Sequence, residues 1–263
     1  MQKEDFQIEV EGIQLQARSL MLSAPSASLR PTLVFLHDSL GCIELWRDFP
    51  GKLAEATGCN AFIYDRQGYG QSAPAEAVIR SKGYLEKEAH VLAKVLHIAG
   101  IEKAILFGHS DGGSIALVAA AEYPELISGI ITEGAHVFVE EITLSGIREA
   151  VKAYETTSLP QKLAKYHCDK AEWVFHAWTD TWLSPDFRNW NIEQYLPNVQ
   201  CPLMVIQGEA DEYGSYQQVE AIVRKVSGDA KELMVAGAGH TPHKEAGELT
   251  SSHITTFVRE IVG

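Results

Sequence analysis

The chain has 263 residues, of which 46% are apolar, 22% charged and 9% aromatic, and it carries a formal net charge of −13. That length supports one large α/β domain, or one domain with an insertion, whose core needs no staple. The acidic balance opposes nucleic acid and anionic membrane surfaces as partners, and no apolar run approaches the roughly 20 residues of a membrane-spanning helix.

The opening MQKEDFQIEV has charges where a secretory signal needs its apolar stretch, so a soluble, cytoplasmic protein is expected. The cysteines Cys42, Cys59, Cys168 and Cys201 are scattered, with neither a Cys-x-x-Cys pair nor Cys/His ligand spacing. They read as reduced structural thiols, with no metal expected; Cys42, beside a loop of interest, is the one whose reactivity is open.

In chain order, FQIEV and IQLQARSL alternate apolar and polar residues around Gly12 and predict a half-exposed hairpin. A polar loop, SAPSASLRP, follows. TLVFLHD and NAFIYD are short apolar runs, and IELWRDFPGKLAEAT between them has helical spacing with a stop at Gly58. GYLEKEAHVLAKVLHIAG predicts an amphipathic helix closed by Gly100. KAILFG is a further buried strand, GGSIALVAAAEYP a helix and LISGIITEG another strand. Repeated β-α-β order implies a mostly parallel sheet with helices on both faces.

The alternation stops over residues 135–200, where VEEITLSGIREAVKAYE, LPQKLAKYHC, KAEWVFHAWTDTWL and NIEQYL read as helices. Strands return in PLMVIQGEADEYG and KELMVAGAGH, before the closing helix SSHITTFVREIVG. The expected division is an α/β core over 1–134 and 201–263 with a helical insertion over 135–200, too long to be a mere connection. The insertion holds Trp173, Phe175, Trp178, Trp182 and Trp190. Trp178 and Trp182 lie one turn apart on one face; such residues either pack the core or line an apolar substrate pocket.

Gly108-His109-Ser110-Asp111-Gly112 satisfies Gly-x-Ser-x-Gly between a buried strand and a helix, the context in which that motif exposes a nucleophile on a strained turn. A serine hydroxyl needs a histidine to take its proton and a carboxylate to orient that histidine. Asp211, just past a strand end, and His240, in the Gly-rich loop after the last strand, supply them in the order Ser, Asp, His. His243 is the competing base; Glu209, Glu212 and, after the preceding strand, Glu133 are competing acids. Two donors for an oxyanion are expected: the backbone N–H of Asp111 at a helix N-terminus, and that of Ser39 in LHDSLGC, with Asp38 as the alternative.

These pieces resemble the α/β-hydrolase family over nearly the whole chain: FLHDSLG for its oxyanion loop, YDRQGYGQS for its Asp-x-x-Gly-x-Gly-x-Ser turn, GHSDGG for the elbow, QGEAD for the acid and GAGH for the base. The resemblance implies an eight-stranded, mostly parallel sheet, Ser110, Asp211 and His240 as a triad, and 135–200 as a cap inserted after the sixth strand. Asp38 stands where the family usually has glycine, and Gln67 replaces a common arginine, with loop packing the expected consequence. Within the family, SDGG and GIREAVKAYE resemble the valacyclovir hydrolase branch, where the elbow aspartate binds the α-ammonium of an amino-acid ester. Asp111 is therefore either an ammonium anchor or an acid favoured by the helix dipole.

The expected function is a serine hydrolase for small carboxylic esters, amino-acid esters among them, with Asp38, Asp111, Trp178 and Trp182 as substrate contacts and no cofactor. A cofactor-free perhydrolase or haloperoxidase-like enzyme, or a carbon–carbon bond hydrolase, would use the same triad, and a non-catalytic binding protein would share the fold. Asp38 and Asp111 argue against an anionic dienoate, and Ser110 excludes the aspartate-nucleophile dehalogenases and epoxide hydrolases. The expected partner is a small-molecule ester, neither nucleic acid nor membrane, and the chain is a monomer or homodimer.

Overall fold

A computed structural model describes residues 1–24 and 29–263, so part of the expected polar loop lies outside the described residues. β1 (Gln2–Val10) and β2 (Ile13–Met21) form the predicted hairpin. Its tip, Glu11 and Gly12, takes positive φ at both positions (53° and 81°), which matches the twist of the flanking strands. β3 (Thr32–Leu36), β4 (Ala61–Tyr64), β5 (Ala104–His109), β6 (Ile127–Glu133), β7 (Leu203–Gly208) and β8 (Ala230–Val235) complete one eight-stranded sheet of order β1-β2-β4-β3-β5-β6-β7-β8. β1 and β2 pair antiparallel, as do β2 and β4; every pairing from β4 to β8 is parallel. This is the α/β-hydrolase fold expected from the sequence.

Side-chain alternation splits the core in two. Val34, Leu36, Leu106, Ile130 and Val205 pack on one face with α2 (Tyr84–Ile98) and α3 (Asp111–Glu122). Leu33, Phe35, Ile105, Phe107, Ile131 and Ile206 pack on the other with α1 (Phe49–Thr57) and α9 (Gly247–Val262). Every residue of β4, β5 and β7 is buried, which is why these strands read as apolar runs rather than alternations.

Two expected boundaries shift. IELWRDFPGKLAEAT is a 3-10 turn, Ile43–Trp46, followed by α1, with Arg47 at φ 54° between them. Pro50 causes the break: its ring would strike the carbonyl of Trp46 in a continuous helix, yet it fits the first turn of a new one. After β7 comes α7 (Tyr216–Lys225), and the closing helix starts at Gly247 rather than Ser251, after the four-residue α8 (Pro242–Glu245).

Between β6 and β7 run α4 (Glu141–Thr156), α5 (Leu159–His167) and α6 (Ala171–Trp182), then 3-10 turns at Pro185–Phe187 and Glu193–Asn198. His167, fully buried, ties α5 to the core: its Nδ1 accepts from the Gly70 N–H (2.9 Å) and its Nε2 donates to the Leu40 carbonyl (3.0 Å). Phe187, Trp190 and Trp182 pack together beneath, with Phe187 and Trp190 stacked at 5.4 Å. Trp190 thus serves packing, Phe175 stacks on Tyr154 at 3.9 Å, and Trp173, half-buried, sits edge-on to Tyr69 at 5.8 Å. No helix among the described residues is long and apolar enough to cross a membrane.

The strand-to-helix turn sets the tightest steric limit. A Cβ on Gly112 would lie 2.0 Å from the Leu36 carbonyl oxygen, whereas nothing lies within 4 Å of one on Gly247. Gly112→Ala is expected to destabilise by at least the roughly 1–3 kcal/mol of core overpacking, lowering Tm by several degrees, while Gly247→Ala leaves Tm unchanged or slightly raised. Thermal melts of both variants check this.

Candidate active site

Ser110 sits between β5 and α3 at φ 55°, ψ −119°, one of four non-glycine residues at positive φ among those described. That backbone is strained for a residue with a Cβ, and it persists because Gly108, Gly112 and Gly113 around it have none. A Cβ on Gly108 would meet the Gly112 carbonyl oxygen at 2.2 Å, and one on Gly113 would meet the Ala135 Cβ at 2.7 Å. The glycines around the serine therefore let α3 start hard against the strand ends. The Ser110 N–H donates to the Glu133 carbonyl on the adjacent strand (2.8 Å), which fixes the turn.

Asp211, past the end of β7, and His240, past β8, are brought together: His240 Nδ1 lies 2.9 Å from both carboxylate oxygens. The carboxylate is itself held, accepting from the Tyr213 N–H (2.8 Å) and from Gln207 Nε2 (2.6 Å). Burial opposes the charge on Asp211, but the hydrogen bond and charge of His240, the Tyr213 N–H and His136 together keep the carboxyl below its ordinary pKa. Burial likewise opposes a charge on His240, and the hydrogen bond and charge of Asp211, with Asp38 and Glu212 behind it, raise the imidazole above its ordinary value. His109 donates from Nε2 to the His240 carbonyl (2.9 Å), and Gly134 leaves room for the ring, since a Cβ there would lie 2.7 Å from its Cε1.

Ser110 and His240 line one cavity of about 210 Å³. Its walls include Ser39, Leu40 and Asp38 from the loop after β3, Thr143 and Ile147 from α4, and Trp178 and Trp182 from α6. Both tryptophans expected as substrate contacts are thus at the cavity, Trp178 edge-on to Tyr213 at 5.8 Å. Among the described residues neither the Ser39 N–H nor the Asp111 N–H donates a hydrogen bond within the protein. The two expected oxyanion donors are free to act.

The competing residues are committed elsewhere. His243 meets Glu133, not Asp211: its Nδ1 contacts Glu133 Oε2, and its backbone N–H donates to Oε1 (2.6 Å). This second, buried histidine–carboxylate pair ties the end of β6 to the loop that carries His240. Glu209 is exposed; Glu212, also exposed, lines the cavity. Cys42 is buried beside the oxyanion loop, and burial with the charge of Asp65 pushes its thiol up to about 12, so it stays protonated and inert.

One residue escaped the sequence reading. Gln67 makes only a loop contact, to the Pro74 carbonyl (3.0 Å), but Arg66 beside it is 2% exposed and reaches the site. Its Nη2 donates to the Asp38 carbonyl (2.8 Å), its Nη1 lies 3.9 Å from Asp111 Oδ2, and its guanidinium carbon is 4.8 Å from the Tyr69 ring centroid. The expected arginine is present one position early. Asp111 is correspondingly enclosed: 1% exposed, with Oδ2 accepting from the Tyr84 hydroxyl (2.9 Å), which in turn accepts from Trp182 Nε1 (3.0 Å).

Removing one member of the Glu133–His243 pair strands the other. Burial opposes the Glu133 charge, but His243 holds its carboxyl below the ordinary range, so this stabilisation is present above the unfolded-state pKa and is lost as pH falls through the folded one. His243→Leu is expected to cost about 3–5 kcal/mol near neutral pH, with much of the cost relieved in the Glu133→Gln/His243→Leu double variant. Denaturant melts of the three proteins measure it.

The family profile described as alpha/beta hydrolase fold matches residues 31–194. Over 179 residues the chain is 31% identical to human Serine hydrolase BPHL, covering 66% of this chain and 61% of that protein, so the match spans about three-fifths of its length. It is 25% identical to rat Monoglyceride lipase over 228 residues, 75% of this chain and 72% of the lipase. Among solved structures, the 2-hydroxy-6-oxo-6-phenylhexa-2,4-dienoate hydrolase of Rhodococcus sp. strain RHA1 superimposes with a TM-score of 0.82 over 98% of this chain and 99% of that one, at 14% identity, a likeness of fold alone. By its sheet, its elbow and the family match, the chain belongs to the α/β-hydrolase family.

Proposed function

We propose that the protein is a serine hydrolase that cleaves small carboxylic esters through an acyl-enzyme intermediate. The observation that carries the reading is that Ser110, on its strained elbow, shares one cavity with a histidine whose Nδ1 is held by a buried carboxylate. Asp211 fixes the tautomer with a hydrogen on Nδ1, which leaves His240 Nε2 as the proton acceptor. In the proposed reaction Nε2 takes the Ser110 proton as Oγ attacks the ester carbonyl, and the N–H groups of Ser39 and Asp111 receive the developing oxyanion. His240 then protonates the leaving alkoxide, and water, activated by the same imidazole, releases the acid. Every proton in the cycle is held by this chain's own groups, so the proposed chemistry requires no cofactor.

The cavity composition supports esters over the carbon–carbon bond hydrolase alternative. It is lined by Asp38, Asp111, Glu212 and Glu245 and, among the described residues, by no lysine or arginine, a poor host for an anionic dienoate. A perhydrolase would share the triad and differ in the acyl acceptor; hydrogen peroxide competing with water for the acyl-enzyme distinguishes it. A binding protein has no need of the strained elbow.

Ser110→Ala is expected to lower p-nitrophenyl ester turnover by at least 10³-fold with an unchanged Tm; retained turnover contradicts the assignment. Asp211→Asn is expected to lower kcat by about 10³–10⁴-fold. The free base is the active form, and Asp211 raises the His240 pKa, so activity falls as pH drops through a value above the ordinary 6.5. In Asp211→Asn that acid limb of kcat/KM moves to lower pH, which a pH–rate profile reads directly.

A further inference from the structure

We infer that Arg66 is a positioning residue for the oxyanion: from behind the cavity wall, its buried guanidinium fixes and polarises the peptide that carries the Ser39 N–H. This rests on the serine-hydrolase reading and gives a role within it to a side chain that does not itself line the cavity.

The Asp38 carbonyl and the Ser39 N–H belong to one peptide unit. The described residues contain no cis peptide, so the two groups point in opposite directions across a planar bond, and whatever grips the carbonyl aims the N–H. Three donors grip it: Arg66 Nη2 at 2.8 Å, His37 Nδ1 at 2.7 Å and the Gly41 N–H at 3.3 Å. The arginine also sets the second of these. Its main-chain N–H donates to His37 Nε2 (3.2 Å), which leaves the ring hydrogen on Nδ1. Burial and the Arg66 charge hold that imidazole well below its ordinary pKa, so it stays neutral and Nε2 stays an acceptor. Ser39 lines the cavity, and among the described residues its N–H donates to no group of the protein.

Charge adds to this geometry. Asp38, Asp111, Glu212 and Glu245 line the cavity, and such a wall opposes the negative charge that develops on an attacked carbonyl oxygen. A guanidinium bonded to the far end of the peptide draws electron density away from the N–H, which makes it a stronger donor, and its positive field acts through a buried path where such effects are large. The other arm of the fork reaches the residue that carries the second expected donor: Nη1 lies 3.9 Å from Asp111 Oδ2 and, although buried, has no hydrogen-bond partner. A buried donor left unpaired costs stability, so packing on Tyr69 alone does not account for a cation kept at this position.

The test compares p-nitrophenyl acetate with p-nitrophenyl thionoacetate, in which sulfur replaces the carbonyl oxygen, because sulfur is a poor acceptor for oxyanion donors. Wild type is expected to favour the oxygen ester at least 100-fold in kcat/KM. Arg66→Met and Arg66→Gln are both expected to lower kcat/KM for the oxygen ester about 10²-fold and to shrink the oxygen-to-sulfur ratio at least tenfold. Arg80→Met is the control, since Arg80 also lies over Tyr69, at 5.3 Å, and is expected to change the ratio less than threefold. A merely structural loss lowers both rates alike. A folded Arg66 variant that keeps the wild-type ratio, a ratio that collapses equally in Arg80→Met, or failure of both Arg66 variants to fold overturns the inference. So does a wild type that takes a fluorophosphonate on Ser110 yet shows no oxygen preference, including one that cleaves neither ester, and in that case the hydrolase reading stands. Failure of wild type to label, with no turnover of either ester, removes the hydrolase reading and this inference with it.

Discussion

The contact between α3 and the carboxyl ends of β3 and β5 governs the molecule. Where a Cβ on Gly112 would fall 2.0 Å from the Leu36 carbonyl, there is no space between helix and sheet for any side chain. The chain can make that approach only by turning sharply at Ser110, and the turn at φ 55° lifts the serine out of the strand plane while its own N–H is held by Glu133 on the next strand. The same contact places Asp111, at the helix start, on the cavity wall together with Ser39 of the loop after β3. The expected nucleophile and the expected oxyanion donors therefore follow from one steric demand.

Electrostatics then divides the acids of the site by their partners. Asp211 orients His240, Glu133 orients His243, and Asp111 faces Arg66; each is buried and each has a nearby basic group. Buried carboxylates are tolerable only when paired and hydrogen-bonded, so each of these is structural as well as electrostatic. Asp38, which occupies the family's usual glycine position, differs in exposure: its side chain is 32% exposed, with His109 Nδ1 at 3.9 Å. The helices between β6 and β7 add apolar walls, Ile147, Trp178 and Trp182, opposite these charges.

The sheet, its parallel order, and the convergence of Ser110, Asp211 and His240 on one end of it were legible because buried strands read as apolar runs and loops at strand ends carry the chemistry. Side-chain partnership was not. A sequence places Glu133 and His243 near the site as alternative acid and base, but their pairing with each other arises from tertiary packing 110 residues apart. Arg66 was missed for a related reason: the turn motif places arginine at position 67, and a one-residue displacement looks like a loss until the guanidinium is traced back to Asp38 and Asp111.

The central claim is that an acyl group passes through Ser110. Rapid-quench mass spectrometry during turnover of p-nitrophenyl acetate, with peptide mapping of the quenched protein, tests it most directly. The account predicts a burst of p-nitrophenol matched by a protein mass gain of one acetyl group, located on the peptide that contains Ser110 and gone when substrate is exhausted. Turnover with no acyl adduct on that peptide, or an adduct on another residue such as Cys168, would contradict it.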